Sequence, residues 1–173
     1  ALAEGVAILA ACREDQTSAE RNGRGVFTSH ICNALDGGAA DVQGTVTIAS
    51  LYSYVDEMLS AWSQRPLFRA SLASFAPLRR ASAAMTDDKL RKLASYFPAA
   101  DFEYPLDPSY EPTHASRNDA HVEIFSILQQ SRAARLVEPV GTPHMYYAAV
   151  ESRSCKLTPL GKFYWQKVAD SRL

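Results

Sequence analysis

Val6-Ala7-Ile8-Leu9-Ala10-Ala11-Cys12-Arg13-Glu14-Asp15-Gln16-Thr17-Ser18-Ala19-Glu20 is the stretch on which the reading of this chain turns. It opens with an unbroken apolar run over 6–11, the pattern of a strand buried on both faces of a sheet. The run stops at Cys12 and becomes polar at once, which predicts a loop at the strand's carboxyl end. In open parallel α/β sheets that end is where ligands and substrates sit.

Outward from this loop, Arg21-Asn22-Gly23-Arg24-Gly25 is a turn signal with two glycines. Phe27, Ile31, Ala34 and Leu35 then fall on one face of a helix predicted over 26–35, and Gly37-Gly38 ends it. Thr45-Val46-Thr47-Ile48 is β-prone, yet Leu51, Tyr54, Val55, Met58, Leu59 and Trp62 keep helical spacing. The reading from spacing is a helix over 48–63, closed by Pro66. Residues 72–78 alternate apolar and small side chains up to Pro77, as a short last strand near a sheet edge would. Two strands cannot stand alone as a stable sheet. A strand apolar on both faces needs neighbours beyond those in this segment, and leaving 6–11 solvated would cost several kcal/mol at about 25 cal/mol per Å².

The ten residues Ala11-Cys12-Arg13-Glu14-Asp15-Gln16-Thr17-Ser18-Ala19-Glu20, followed by Gly25-Val26-Phe27-Thr28, a helix and a Gly-rich turn, resemble caspase-like cysteine peptidases. The likeness is to the start of the small-subunit half, and is strongest to metacaspases and bacterial caspase-like proteins. It implies an α/β fold in which 1–80 is the C-terminal part of a caspase-like parallel sheet with helices on both faces, completed by an upstream or companion segment. That large-subunit-like segment would supply the catalytic His and Cys, so no catalytic residue is expected in this chain. A chain that begins at Ala1 without Met or a basic leader fits a processed or excised fragment.

The second half is read in pieces. Residues 81–118 form a linker with one helix over 87–97, capped by Thr86, and a loop holding four of the nine prolines. A helix over 119–134 follows, then an exit through Leu136-Val137, strands over 144–150 and 154–157, and a last helix to Ala169. Thr158 is its N-cap and Pro159 its first residue. Helix, hairpin, Leu157-Thr158-Pro159-Leu160-Gly161 and helix resemble a winged-helix module, so 119–173 is expected to be a small α+β winged-helix-like unit. Residues 87–173 hold 11 Lys plus Arg and 11 Asp plus Glu. A DNA reader is basic on its recognition face, so DNA binding is not expected, and a protein-contact or autoregulatory role is.

Charge and composition exclude further classes. Net charge is −1 and the hydrophobic fraction 47%, which gives no global pull toward nucleic acid or an anionic membrane. No apolar run approaches the roughly 18–20 residues of a membrane span. Cys12, Cys32 and Cys155 are spaced by 20 and 123 residues. This fits no zinc pattern and suggests free thiols in a reduced, cytoplasmic protein. His114, His121 and His144 lack ligand spacing, so neither metal nor cofactor is expected.

Cys12 ends an apolar strand without an activating nest or cation cluster, and its order relative to His30 is the reverse of the family's, so the pair is read as structural. Cys32 and Cys155 are read the same way. Glu14, Asp15 and Glu20 sit where an acidic group can hold a substrate's basic side chain by a charge-assisted hydrogen bond. The resemblance implies cleavage after Arg or Lys, with Asp15 the best local pocket residue and Glu14 the second, beside a complicating Arg13. The function expected is a small-subunit-like fragment of a caspase-like endopeptidase of bacterial defence or cell death. The alternative is a non-catalytic caspase-like scaffold or winged-helix DNA-binding adaptor.

Overall fold

The structure, a computed structural model, describes residues 3–12, 19–21, 23–59 and 65–173. Among these the chain is mixed α/β, with six α-helices and short strands whose pairings are all antiparallel. It divides into two compact units, Ala1–Ala83 and Ala84–Leu173.

In chain order the first unit holds β1 (Val6–Ala10), β2 (Glu20–Arg21), β3 (Arg24–Gly25), α1 (Val26–Asn33), β4 (Thr45–Thr47), α2 (Ile48–Leu59), β5 (Leu67–Ser71) and β6 (Pro77–Arg80). The expected first strand forms, but its neighbour is antiparallel: β1 pairs with β5 from Val6↔Ser71 to Ala10↔Leu67. Successive side chains point to opposite faces. Leu9 therefore packs against the core of Val26, Ala34, Val46, Leu51, Val55 and Leu59, whereas Val6 and Ile8 remain 38% and 44% exposed. Burial on both faces is thus corrected to burial on one. The described residues of this chain make no parallel sheet, because β1 has one strand neighbour and covering helices on one side only.

The strand expected over 72–78 is also displaced. Residues 72–76 connect β5 to β6, which pairs with β4. Phe68 of β5 stacks on Tyr52 of α2 at 4.8 Å. That ring contact, invisible in local alternation, places the strand earlier. Thr45-Val46-Thr47 serves twice, as β4 and as the entry to α2. Thr47 Oγ1 accepts the Ser50 N–H at 3.2 Å and Ser50 Oγ accepts the Thr47 N–H at 3.0 Å, a reciprocal cap. The helix is described to Leu59, and the rest of the expected 48–63 span, Trp62 included, lies outside the described residues. α1 passes at Ala34 into a π-helical turn, Ala34–Gly38, and it is this turn that ends at the expected glycine pair, with Gly37 at φ 119°.

The second unit holds α3 (Asp87–Tyr96), β7 (Glu103–Pro105), a 3-10 turn (Pro108–Tyr110), α4 (Asp119–Ala133), β8 (Val137–Pro139), α5 (Met145–Val150), β9 (Ser154–Leu157) and α6 (Pro159–Ala169). Its sheet has the order β7-β9-β8, with both outer strands ending in proline, the residue tolerated at sheet edges. From Ala84 on, the expected linker 81–118 is therefore part of this unit: β7 pairs with β9 some 50 residues later. Residues 144–150 are helix α5 rather than a strand. Met145, Ala148 and Ala149 are buried, at helical spacing. The antiparallel partner of β9 in the expected hairpin is accordingly β8, one element upstream.

The second unit's helix ends are fixed by side chains. Thr86 Oγ1 accepts the Lys89 N–H at 3.4 Å and Thr158 Oγ1 the Gly161 N–H at 3.0 Å. The end of α4 meets the start of α6. Arg135, at φ 62°, closes α4 in a left-handed cap, with the Leu136 N–H donating to the Ser131 carbonyl at 2.8 Å. The Arg135 carbonyl then accepts the Thr158 hydroxyl at 2.6 Å, and the Leu136 carbonyl accepts the Thr158 N–H at 3.0 Å.

Candidate functional site

The loop singled out in the sequence leaves β1 at Ala11 and the half-buried Cys12 and is described again from Ala19. Glu14 and Asp15, the expected substrate-binding pair, and Arg13 lie outside the described residues. Both ends of the loop are anchored. At one end β1 is held by β5. At the other the Ala19 carbonyl accepts the Val26 N–H at 3.0 Å, and β2 and β3 close a tight hairpin through Gly23 at φ 72°. The return end of the loop thus runs straight into α1. Glu20 is exposed.

Beside this hairpin a cleft of about 450 Å³ is lined by Arg24, Gly25, Thr28, Ser29, Cys32 and Asn33. The last four fall at i, i+1, i+4 and i+5, one face of α1. Ser29 Oγ donates to the Gly25 carbonyl at 3.1 Å, whereas no side chain caps the first turn of α1. Arg24 is exposed and has no ion pair among the described residues. The described wall of the cleft is therefore cationic and hydroxylic.

The remaining thiols and imidazoles separate clearly. Cys32 is exposed in the cleft wall. Cys155 is fully buried on β9, and burial pushes its thiol up to about 12, which makes it inert as a nucleophile at neutral pH. His30 Nδ1 is shielded from solvent with no hydrogen-bond partner, so Cys12 does not pair with that nitrogen. No group of three or more His, Cys, Asp and Glu side chains suited to a metal ion occurs among the described residues.

One polar constellation went unread in the sequence. Ser109 Oγ lies 2.6 Å from His121 Nδ1, and the His121 ring stacks on Tyr110 at 4.4 Å. Asp107 Oδ1 accepts the Ser109 N–H at 2.8 Å, and hydrogen bonds from Ser109 hold its carboxyl below the ordinary value. The Ser109 carbonyl in turn accepts the Asn118 N–H at 2.9 Å, and Asn118 caps α4. Each group serves to fasten the 3-10 turn to α4, so the serine–histidine pair acts as a clamp. Asp107-Pro108-Ser109, an N-cap followed by proline, was its sequence signal.

No helix of the described residues is long and apolar enough to cross a membrane. Compared with known proteins, the chain matches no family model, no curated protein and no solved structure.

Proposed function

We propose that this chain is the small-subunit-like part of a caspase-like cysteine endopeptidase that cleaves after Arg or Lys, acting in bacterial defence or cell death. A large-subunit-like segment, from the same gene or a companion chain, supplies the catalytic histidine and cysteine. The observation that carries the reading is β1 together with the loop that leaves it. The strand is paired on one edge, keeps Val6 and Ile8 exposed on one face, and runs into Ala11-Cys12-Arg13-Glu14-Asp15-Gln16-Thr17-Ser18-Ala19-Glu20. An antiparallel pair such as β1–β5 is a common margin of otherwise parallel sheets. The companion segment would add the parallel strands on the open edge and helices over Val6 and Ile8.

In the assembled enzyme, Asp15, seconded by Glu14, holds the substrate's cationic side chain. The companion's thiolate forms the acyl intermediate, and water releases it. The second unit serves as a winged-helix-like protein-contact module. Its balanced charge gives no electrostatic footprint for DNA, so duplex affinity at physiological salt should be weaker than micromolar, with a shallow salt slope in a titration.

The test uses the chain with its upstream segment and matched Arg and Asp reporter peptides. Residues 1–173 alone should turn over neither. In the complex, Asp15→Ala should lower kcat/KM on the Arg reporter about ten-fold, equivalent to about 1.4 kcal/mol. A wild-type preference for the Asp reporter would remove the acidic pocket from the proposal.

A further inference from the structure

The cleft of about 450 Å³ along α1 begins at Arg24 and runs to Asn33. Gly25, Thr28, Ser29, Cys32 and Asn33 line it at helical spacing, so the described wall is one stripe of the helix. At a rise of 1.5 Å per residue the stripe is about 12 Å long, and Cys32 lies about 10 Å along it from Gly25.

The polar groups of this stripe are open. Arg24, Thr28 and Asn33 are exposed, and their side chains have no hydrogen bond or ion pair among the described residues. Ser29 differs, since its hydroxyl proton is committed to the Gly25 carbonyl at 3.1 Å. No carboxylate lines the described wall. The cleft thus offers one full positive charge and two further donors, the Thr28 hydroxyl and the Asn33 amide, and nothing that would hold a cation.

These groups select among anions. A guanidinium is a planar fork that grips a carboxylate through two parallel N–H···O bonds. A phosphate dianion would keep a charge unmatched by the single cation, and a nucleic-acid backbone would bring a row of phosphates to it. The cleft is also far larger than a carboxylate, within the range that small ligands fill. An extended peptide advances about 3.3 Å per residue, so about three residues cover the distance from the Arg24 end to Cys32.

We infer that this cleft is a binding site for an acidic peptide segment, with a Glu or Asp carboxylate on Arg24 and the flanking backbone laid over Thr28 toward Cys32. The inference stands apart from the specificity proposed above, which concerns a basic side chain held by a different loop.

Cys32 supplies the readout, being exposed in the cleft wall, whereas Cys155 is fully buried and Cys12 does not line the described wall. The full chain is treated with iodoacetamide, a neutral reagent, at constant ionic strength, and alkylation of each thiol is followed by peptide mass. The probe is the blocked peptide acetyl-Ala-Ala-Glu-Ala-Ala-amide, beside its Gln counterpart, glutarate and inorganic phosphate. Protection of Cys32 should rise with the Glu peptide and reach about ten-fold at ten times the half-protecting concentration, while Cys12 keeps its own rate. The Gln peptide should leave Cys32 unprotected. Arg24→Gln should abolish the protection, and Arg24→Lys, which keeps the charge and loses the fork, should retain only part of it. Cys32 alkylated at its free rate at every peptide concentration overturns the inference, as does equal protection by the Gln peptide or protection that survives in Arg24→Gln. Glutarate protecting as well as the peptide would reduce the occupant to a small acid, and phosphate protecting better would make it a phosphate ester. Either result overturns the assignment to an acidic peptide.

Discussion

Gly161 has no room for a methyl group: a β-carbon there would stand 1.9 Å from the Leu136 carbonyl oxygen. Gly161→Ala must push α6 off the end of α4, and overpacking of this kind should cost about 2–3 kcal/mol in denaturant unfolding of the second unit. Arg135→Gly should act in the opposite sense. Its left-handed backbone favours glycine, so a gain of about 0.5–1 kcal/mol is expected in the same measurement. Cys155 brings a pH dependence. Its thiol is raised from 9.0 to about 12 by burial, so the unfolded chain loses that proton first. Stability is unaffected below about pH 9 and falls as pH rises from there toward 12. Tyr104, raised by burial and by its bond to Tyr110, adds to the same loss. Cys155→Ala should make the alkaline decline of the unfolding midpoint shallower while leaving the Tyr104 part. At this scale the sequence was partly legible. Thr158-Pro159 announced a helix start, but the need for glycine at 161 depends on a carbonyl 25 residues earlier. Glu14 and Asp15 stay legible only as chemistry, since they lie outside the described residues.

α3 and α6, each with a threonine cap, were read correctly, whereas α5, with no side-chain cap, was not. Thr86 and Thr158 marked α3 and α6 because a cap is a local interaction, set by a hydroxyl and an N–H three residues on. Thr86→Ala should cost about 1 kcal/mol. Thr158→Ala should cost more, about 2 kcal/mol, because its hydroxyl also donates to the Arg135 carbonyl. Paired thermal melts of the two variants would order them, and equal losses would deny the second bond any weight. Residues 144–150 misled because Tyr146, Tyr147 and Val150 favour strands. What decided for α5 is that Ala148 and Ala149 pack flush into the core, a tertiary fact. Strand β7 escaped notice in a proline-rich stretch for a related reason: its partner β9 lies far along the chain, and its proline sits at the outer edge.

For the molecule as a whole, the sequence placed the second unit's start at 119, whereas the structure begins it at Ala84. Pairings such as Tyr104↔Cys155 draw that boundary, and no local pattern announces them. The mixed α/β character was legible from periodicity, and the one-sided burial of β1 was not, since an apolar run does not say how many neighbours it has. Produced separately, residues 84–173 should unfold in one cooperative transition, because they carry their own core of Leu90, Phe97, Phe125, Leu136 and Leu157. Residues 1–83 alone should self-associate in sedimentation experiments through the face of Val6 and Ile8, and a monomer there would speak against an uncovered sheet. The prolines that end β7 and β8 bear on how such samples age. Two edges that are three residues long and lack a proline N–H offer no template on which further chains can stack as cross-β. Among the described residues, stacking as cross-β would therefore start from the first unit, whose strands β1, β4, β5 and β6 lie in two-stranded sheets, and the second unit produced alone would be the fragment that stays clear in storage.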